Sequence, residues 1–229
     1  MQNGTDSRSA RAWWVPIRRY STEELVADGI VHGVGIVAGI SVGAVLLALA
    51  LIKTTPAEAP ALAIYLASLV LVLSVSMAYN LAPISPIKGV LARFDQAAIF
   101  LFIAGTYTPF LAIIGGTTNG LLMTVLIWSA SLVGIALKLI VPERFGRLAL
   151  LLYFGIGWSG VLVFRDLAAS LPPMTIWLLI AGGIVYSLGI IFHLWERLKF
   201  HTALWHGFVV VAAMLHLVAI LDCMVISRL

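Results

Sequence analysis

The chain has 229 residues, of which 62% are apolar, and its 14 basic and 10 acidic side chains give a formal net charge of +4. About a quarter of the residues in a typical soluble domain are charged, so a charged fraction of 10% excludes an ordinary water-soluble domain, a disordered chain and a coiled coil. The single cysteine, Cys223, excludes a disulfide within the chain.

The first 20 residues differ from the rest of the chain because they are polar and rich in arginine. They contain neither the apolar core nor the small-residue cleavage site of a signal peptide. We therefore interpret residues 1–20 as a cytoplasmic or interfacial segment, and residues 21–229 as one membrane domain.

Six stretches without Asp, Glu, Lys or Arg follow, and each is long enough for a transmembrane helix, which needs about 17 to 25 residues. The third stretch is long enough for two helices and contains the turn-forming segment Gly115–Gly120. These runs lack the period-two alternation of membrane β-barrels. The sequence therefore predicts an all-α fold, a bundle of seven transmembrane helices. The stretches are Gly29–Ile52, Ala59–Ile87, Gln96–Leu137, Leu148–Phe164, Leu167–Trp195 and Phe200–Leu221.

Basic residues concentrate on one side of the predicted bundle, and short cytoplasmic loops are the ones that retain positive charge. With the N-terminus inside, only Lys53, Arg165 and Arg228 fall on the outer side. This distribution predicts a cytoplasmic N-terminus and an outer C-terminus. We expect the chain to lie in the plasma membrane, the inner membrane of a bacterium. The cytoplasmic set is Arg8, Arg11, Arg18, Arg19, Lys88, Arg93, Lys138, Arg144, Arg147, Arg197 and Lys199.

The same charge distribution predicts the class of partner. A basic cytoplasmic face favours contact with anionic membrane lipids rather than with nucleic acid. The sequence contains no Gly-rich phosphate-binding loop that ends in Lys-Ser or Lys-Thr, so we expect no nucleotide partner. The oligomeric state is left open.

Polar residues within the predicted membrane spans form a second pattern. Such residues are costly in lipid, so they mark candidate functional sites. Glu24, Asp28 and His32 recur every four residues and share one helical stripe. Ser76 and Asn80 could instead be hydrogen-bonding contacts between helices. The common height of the polar residues nevertheless predicts one polar chamber near the cytoplasmic leaflet, with Asp95 at the opening of the third span. The chamber set is Glu24, Asp28, His32, Ser76, Asn80, Asp95, His193, His201, Thr202 and His206.

Two histidines at the start of the seventh span differ in direction. Five residues at about 100° each place His201 and His206 about 140° apart around a helix. Both side chains can face one point only if the start of this span is unwound.

Several motifs follow one another in a characteristic order. The helix-three block, Phe94–Phe100 followed by Ile103–Phe110, is the most specific of them. Together the motifs resemble the hemolysin III branch of the progestin and adipoQ receptor family, whose opening signature has Asn at the position of Asp28 and whose second motif is Ser-x-x-x-His. The other matching segments are Glu23-Glu24, His32–Gly35, Ser76–Asn80, Gly157-Trp158, Gly182–Tyr186 and Ala203–Val209.

This resemblance implies a seven-helix bundle with a zinc ion near the cytoplasmic side. It implies zinc ligands from a second-span His and from two seventh-span His in His-x-x-x-His spacing, with Ser76 and Asp95 supporting a metal-bound water as catalytic residues. This chain has Asn80 and Thr202 at two of the three ligand positions and keeps His206. We therefore expect zinc to bind weakly or not at all, unless His201 swings in or Asp28 and His32 contribute from the first span.

Three functions follow as expectations. The first is a role in lipid sensing or membrane homeostasis, with a polar chamber whose family zinc site is degraded. The second is a zinc-dependent membrane lipid hydrolase of the ceramidase-like amide type, with a rearranged site. The third, a cytolytic protein, is implied only by the name of the family, and seven obligate spans disfavour the soluble form that pore formers need.

Overall fold

The computed structural model describes residues 14–15, 18–55, 58–142 and 146–228, with the side chains of 146 and 147 left aside. Arg8, Arg11 and Arg144, which support the predicted orientation, lie outside these ranges, and so does most of the predicted segment 1–20. The orientation of the termini stays a prediction.

All regular secondary structure in the described ranges is helical, and seven helical segments are long and apolar enough to span a membrane. The predicted all-α bundle of seven spans is therefore confirmed. The fifth span is built from α5, a 3₁₀ turn at Ser159–Val163 and α6. The helices are α1 Thr22–Lys53, α2 Glu58–Leu81, α3 Pro86–Ile114, α4 Thr118–Ile140, α5 Gly146–Trp158, α6 Phe164–Ser170, α7 Pro173–Leu194 and α8 His201–Met224.

Helix α1 begins before the first charge-free stretch because its N-terminus is capped. Ser21 accepts a hydrogen bond from the Glu24 backbone N–H, and the Glu24 side chain accepts one from the Ser21 N–H, which is a capping box. The helix therefore runs through Glu23, Glu24 and Asp28 and carries these acidic residues on its first two turns.

Helix α3 also begins earlier than the sequence predicts. Ser85 caps its N-terminus and Pro86 occupies the first turn, where proline needs no hydrogen-bond partner. The prediction that Asp95 opens the third span is therefore wrong, since Asp95 lies about two and a half turns inside α3. The predicted turn at Gly115–Gly120 is confirmed, because α3 ends at Ile114 and α4 begins at Thr118.

Helix α1 packs between α2 and α8, and α2, α3 and α4 pack in sequence on the other side. The contact of α1 with its neighbours is close because its buried stripe includes Gly35, Gly39 and Gly43. A Cβ atom at Gly35 would lie 2.7 Å from the Val210 side chain of α8. Small residues thus bring the backbone of α1 against α8, as membrane helices often do.

Candidate metal centre

Two side chains of α1 form the first part of the site. Asp28 and His32 lie one turn apart on the same face, and they are 1% and 0% exposed. His32 Nδ1 lies 2.8 Å from the backbone oxygen of Asp28 and 3.5 Å from its carboxylate. The local hydrogen bond holds the imidazole of His32 so that Nε2 points away from its own helix turn.

His206 of α8 completes the group. Its Nδ1 lies 2.6 Å from Asp28 Oδ1, and its ring centroid lies 4.2 Å from that of His32. His206 is 8% exposed, so the contact between a carboxylate and an imidazole is buried between α1 and α8. A hydrogen bond to a charged carboxylate is stronger than one between neutral groups.

These three residues fit a metal ion by both geometry and chemistry. One ligand atom from each of Asp28, His32 and His206 lies within 4.8 Å of the other two. Asp28 Oδ2 and His32 Nε2 are buried and have no hydrogen-bond partner among the residues that the structure describes. Buried polar atoms normally have partners, and imidazole nitrogen and carboxylate oxygen are donors that zinc accepts. From the sequence, zinc is expected to bind only if His201 swings in or if Asp28 and His32 contribute ligands. This group corresponds to the second condition.

Helix α2 places two predicted chamber residues beside this group. Ser76 Oγ lies 3.3 Å from His206 Nε2. Asn80 donates through Nδ2 to the Ser76 carbonyl at 2.9 Å and lies 3.3 Å from Ser76 Oγ. The Asn80 amide thus orients the Ser76 hydroxyl and does not belong to the metal-binding group.

The end of α2 is held by a buried lysine of α3. Lys88 Nζ donates to the carbonyls of Tyr79, Asn80 and Ala82, at 2.8, 3.2 and 2.8 Å. These carbonyls belong to the last turn of α2 and to the loop after it, where helix oxygens lack partners within the helix. Lys88 therefore fixes the turn that carries Asn80.

Asp95 reaches the same region from α3. It is partly buried, and it lies close enough to Ser76 and His206 to interact with both electrostatically. The structure thus brings side chains of α1, α2, α3 and α8 close to one another; that they line one polar chamber stays a prediction.

The other predicted chamber residues lie at its margin. His201 Nε2 lies 3.2 Å from the Tyr20 hydroxyl, and α8 begins at His201 without unwinding, so this imidazole stays apart from His206. Thr202 is partly buried in the first turn of α8. His193 packs against Trp205, with ring centroids 5.1 Å apart. Glu24 lies one turn before Asp28 and pairs with Arg18.

From the sequence, Arg18 and Lys88 are expected only to be charges in loops that set the orientation of the bundle. Both are in fact partners of residues in or near the chamber. The signal available for Lys88 was its position three residues after a helix cap, which places it inside a helix rather than in a loop. Arg18 carried no comparable signal, because its partners in the α7–α8 loop are distant in sequence.

Comparison with known proteins finds a matching family model and several similar proteins. A family model described as "Haemolysin-III related" matches residues 20–217. "Hemolysin-3 homolog" of Bacillus subtilis (strain 168) is 34% identical over 190 residues, which cover 83% of this chain and 89% of that protein. "Hemolysin-3" of Bacillus cereus is 34% identical over 187 residues, covering 82% of this chain and 85% of that protein.

A more distant similarity extends to animals. The human "Monocyte to macrophage differentiation factor" is 30% identical over 129 residues, which cover 55% of this chain and 52% of that protein. No solved structure matches the chain significantly.

Proposed function

Because the chain belongs to the haemolysin-III related family, we propose that it is a multi-pass protein of a bacterial plasma membrane that binds zinc at Asp28, His32 and His206. In this proposal the family zinc site is rearranged, with α1 supplying two of the three ligands. The protein serves lipid sensing or membrane homeostasis, and its partners are membrane lipids. The N-terminus faces the cytoplasm, as the basic loops indicate.

The observation that carries the proposal is the buried group Asp28, His32 and His206, in which Asp28 Oδ2 and His32 Nε2 have no hydrogen-bond partner among the described residues. An unpaired buried donor or acceptor costs about 1–3 kcal/mol, and a cation bound between these atoms would satisfy both. The ligands come from α1 and α8, so occupancy would tie together two helices that pack along their lengths. Asp28 and His32 are almost completely buried, which suits a site that controls helix packing.

Metal analysis of the purified protein tests this proposal. We expect about one zinc ion per chain after mild dialysis, since zinc bound by deprotonated protein ligands is held tightly. His32→Gln and His206→Gln should abolish binding, whereas His193→Gln and His201→Gln, which change histidines outside the group, should not. Less than about a tenth of an equivalent of any divalent metal in the unmodified protein would reject the site.

A second candidate function is a zinc-dependent lipid hydrolase of the ceramidase-like amide type. It is favoured by Ser76 and Asp95, which lie close to His206 beside the metal-binding group. A zinc ion held by Asp28, His32 and His206 would supply a Lewis acid that activates water. In such a site Ser76 would hydrogen-bond to a water molecule in the chamber, and Asp95 would act as the proton acceptor.

Turnover of lipid amides and esters in reconstituted vesicles tests this candidate. Zinc-dependent release of fatty acid that is lost in Ser76→Ala and Asp95→Asn would support it. Zinc binding without release of fatty acid would contradict the hydrolase and support the sensing role. The names of the Bacillus relatives also suggest cytolysis, and dye release from vesicles treated with purified protein at a low protein-to-lipid ratio would support that function.

A further inference from the structure

Residues that precede α1 contact the end of the bundle that carries Asp28. The N-terminal strap consists of Trp14, Val15 and residues 18–20. Its Trp14 carbonyl accepts a hydrogen bond from the Tyr79 hydroxyl of α2 at 3.4 Å. At its other end Tyr20 meets His201, the first residue of α8. The described residues of the strap thus contact both α2 and α8 at the end of the bundle where α1 begins.

Arg18 anchors the middle of the strap. Its Nε donates to the Glu196 carbonyl at 3.2 Å and its Nη2 donates to the Leu198 carbonyl at 3.1 Å, both in the loop between α7 and α8. It also forms a bidentate ion pair with Glu24, in which Nη1 lies 2.9 Å from Oε2. The hydrogen bond to Glu24 raises the pKa of Arg18 above its ordinary value, so the guanidinium stays charged.

Glu24 is the residue at which these contacts meet. It is 3% exposed, and its carboxylate accepts from Arg18, from the Ser21 N–H at 2.9 Å and from the Phe200 N–H at 3.0 Å. One buried carboxylate on α1 thus holds the strap and the residue that precedes α8. A buried carboxylate needs such partners, because burying an unpaired charge is very costly.

Phe200 has a strained backbone at this point. Its φ of 64° is the one positive value among the non-glycine residues that the structure describes. Aromatic residues rarely adopt this left-handed conformation, and it persists where surrounding contacts impose it. Among the described residues, no side chain caps the N-terminus of α8. The hydrogen bond from the Phe200 N–H to Glu24 therefore helps to define where α8 begins, six residues before His206.

We propose that Arg18, Glu24 and Phe200 form a clamp in which Glu24 is a positioning residue. The clamp fixes the start of α8 against α1, sets His206 against Asp28, and closes the path by which water and ions reach the chamber from this end. The inference deepens the proposed function, since zinc would enter and leave past the clamp. The closure itself does not depend on metal binding and is testable without metal.

Thiol accessibility tests the closure. Ser76→Cys in a Cys223→Ser background places a single thiol inside the chamber, and its rate of modification by a water-soluble methanethiosulfonate is measured in nanodiscs with a chelator present. Glu24→Ala and Arg18→Ala should each raise this rate about tenfold or more, the factor that a loss of about 1.4 kcal/mol in closing produces. Glu23→Ala, which removes the exposed Glu23–Lys199 pair without changing a residue that contacts the Phe200 ring, is the matched control and should leave the rate within about twofold.

Glu24→Gln separates the two contacts of the clamp. Its amide oxygen still accepts from the Phe200 N–H but loses the charge that pairs with Arg18, so we expect a rate between those of the parent and of Glu24→Ala. Equal rates in the parent, Arg18→Ala and Glu24→Ala would overturn the clamp. A rate for Glu24→Gln as high as that for Glu24→Ala would remove the positioning role of the Phe200 contact.

A folding check uses the native thiol. Cys223 is buried in the last turns of α8, and its modification rate in variants that keep Ser76 reports whether the bundle is intact. If Glu24→Ala exposes Cys223 as much as it exposes the thiol introduced by Ser76→Cys, general unfolding explains the result and the clamp is rejected. With zinc bound, release to a chelator should also be faster in Glu24→Ala. A protein that binds no zinc but shows the thiol effect would reject the proposed function and keep the clamp.

Discussion

His206 on α8 lies 2.6 Å from the Asp28 carboxylate on α1, although 178 residues separate them in the sequence. Neither residue carries this arrangement alone. Gly35 allows the two helices to come into close contact, and the Asp28 carboxylate then meets an imidazole rather than lipid. His32 lies beside this pair and completes the metal-binding group. Ser76 lies beside His206 and belongs to the predicted chamber.

Removing the Asp28 carboxylate should weaken zinc binding while the protein still folds. In Asp28→Asn we expect zinc affinity to fall by more than about 100-fold, since even changes to partners of metal ligands cost about 10- to 100-fold. Competition with a fluorescent zinc chelator measures this affinity. Asp222→Asn changes a carboxylate near the other end of α8, where it accepts from Thr175, and should leave zinc affinity unchanged. An Asp28→Asn protein that binds zinc like the parent would show that the ligands lie elsewhere.

Restoring the family ligands should create a second set of donors. We expect Asn80→His combined with Thr202→His to bind zinc more tightly than the parent, because His206 then gains partners in His-x-x-x-His spacing. Isothermal titration of the metal-free proteins measures the difference. Asn80→Ala with Thr202→Ala controls for loss of the native side chains. No gain in the histidine variant would contradict the alignment of the seventh span with the family site.

The number and approximate position of the spans were predictable because hydrophobic length depends on the local sequence alone. The rule that a charge ends a span failed at Glu24, Asp28 and Asp95, which lie inside helices. Two of these have partners that are not their chain neighbours, Arg18 for Glu24 and His206 for Asp28, and such pairing is invisible to a rule that counts charge-free residues.

The composition of the site was only partly predictable. Heights along the helices placed Asp28, His32 and His206 in one layer, but which of them meet depends on how each helix is rotated. The pitch of an α-helix did predict that His201 and His206 face different directions, and the structure places them so. The clamp was not predictable, because it depends on a strained backbone at Phe200.

Lys88 should stabilise the turn that carries Asn80. In Lys88→Met three carbonyls lose a charged donor, and we expect a loss of about 1–3 kcal/mol in the free energy of unfolding. Thermal unfolding in detergent measures the change. Lys53→Met, at the exposed end of α1, is the control and should leave the unfolding temperature near that of the parent. Equal effects of the two substitutions would show that Lys88 acts only as a surface charge.

The close contact between α1 and α8 should be as important for the site as the ligands themselves. In Gly35→Val the new Cβ would lie 2.7 Å from Val210 and 3.1 Å from Leu73, so the helices must separate at a cost of about 1–3 kcal/mol. We expect lower thermal stability and weaker zinc binding, because Asp28 and His206 lie on the two helices that move apart. Gly33→Val makes the same change on the same helix where a Cβ meets open space, and it should alter neither property. If both variants bind zinc like the parent while Gly35→Val alone is destabilised, the site tolerates helix separation, and the proposed link between packing and metal binding is wrong.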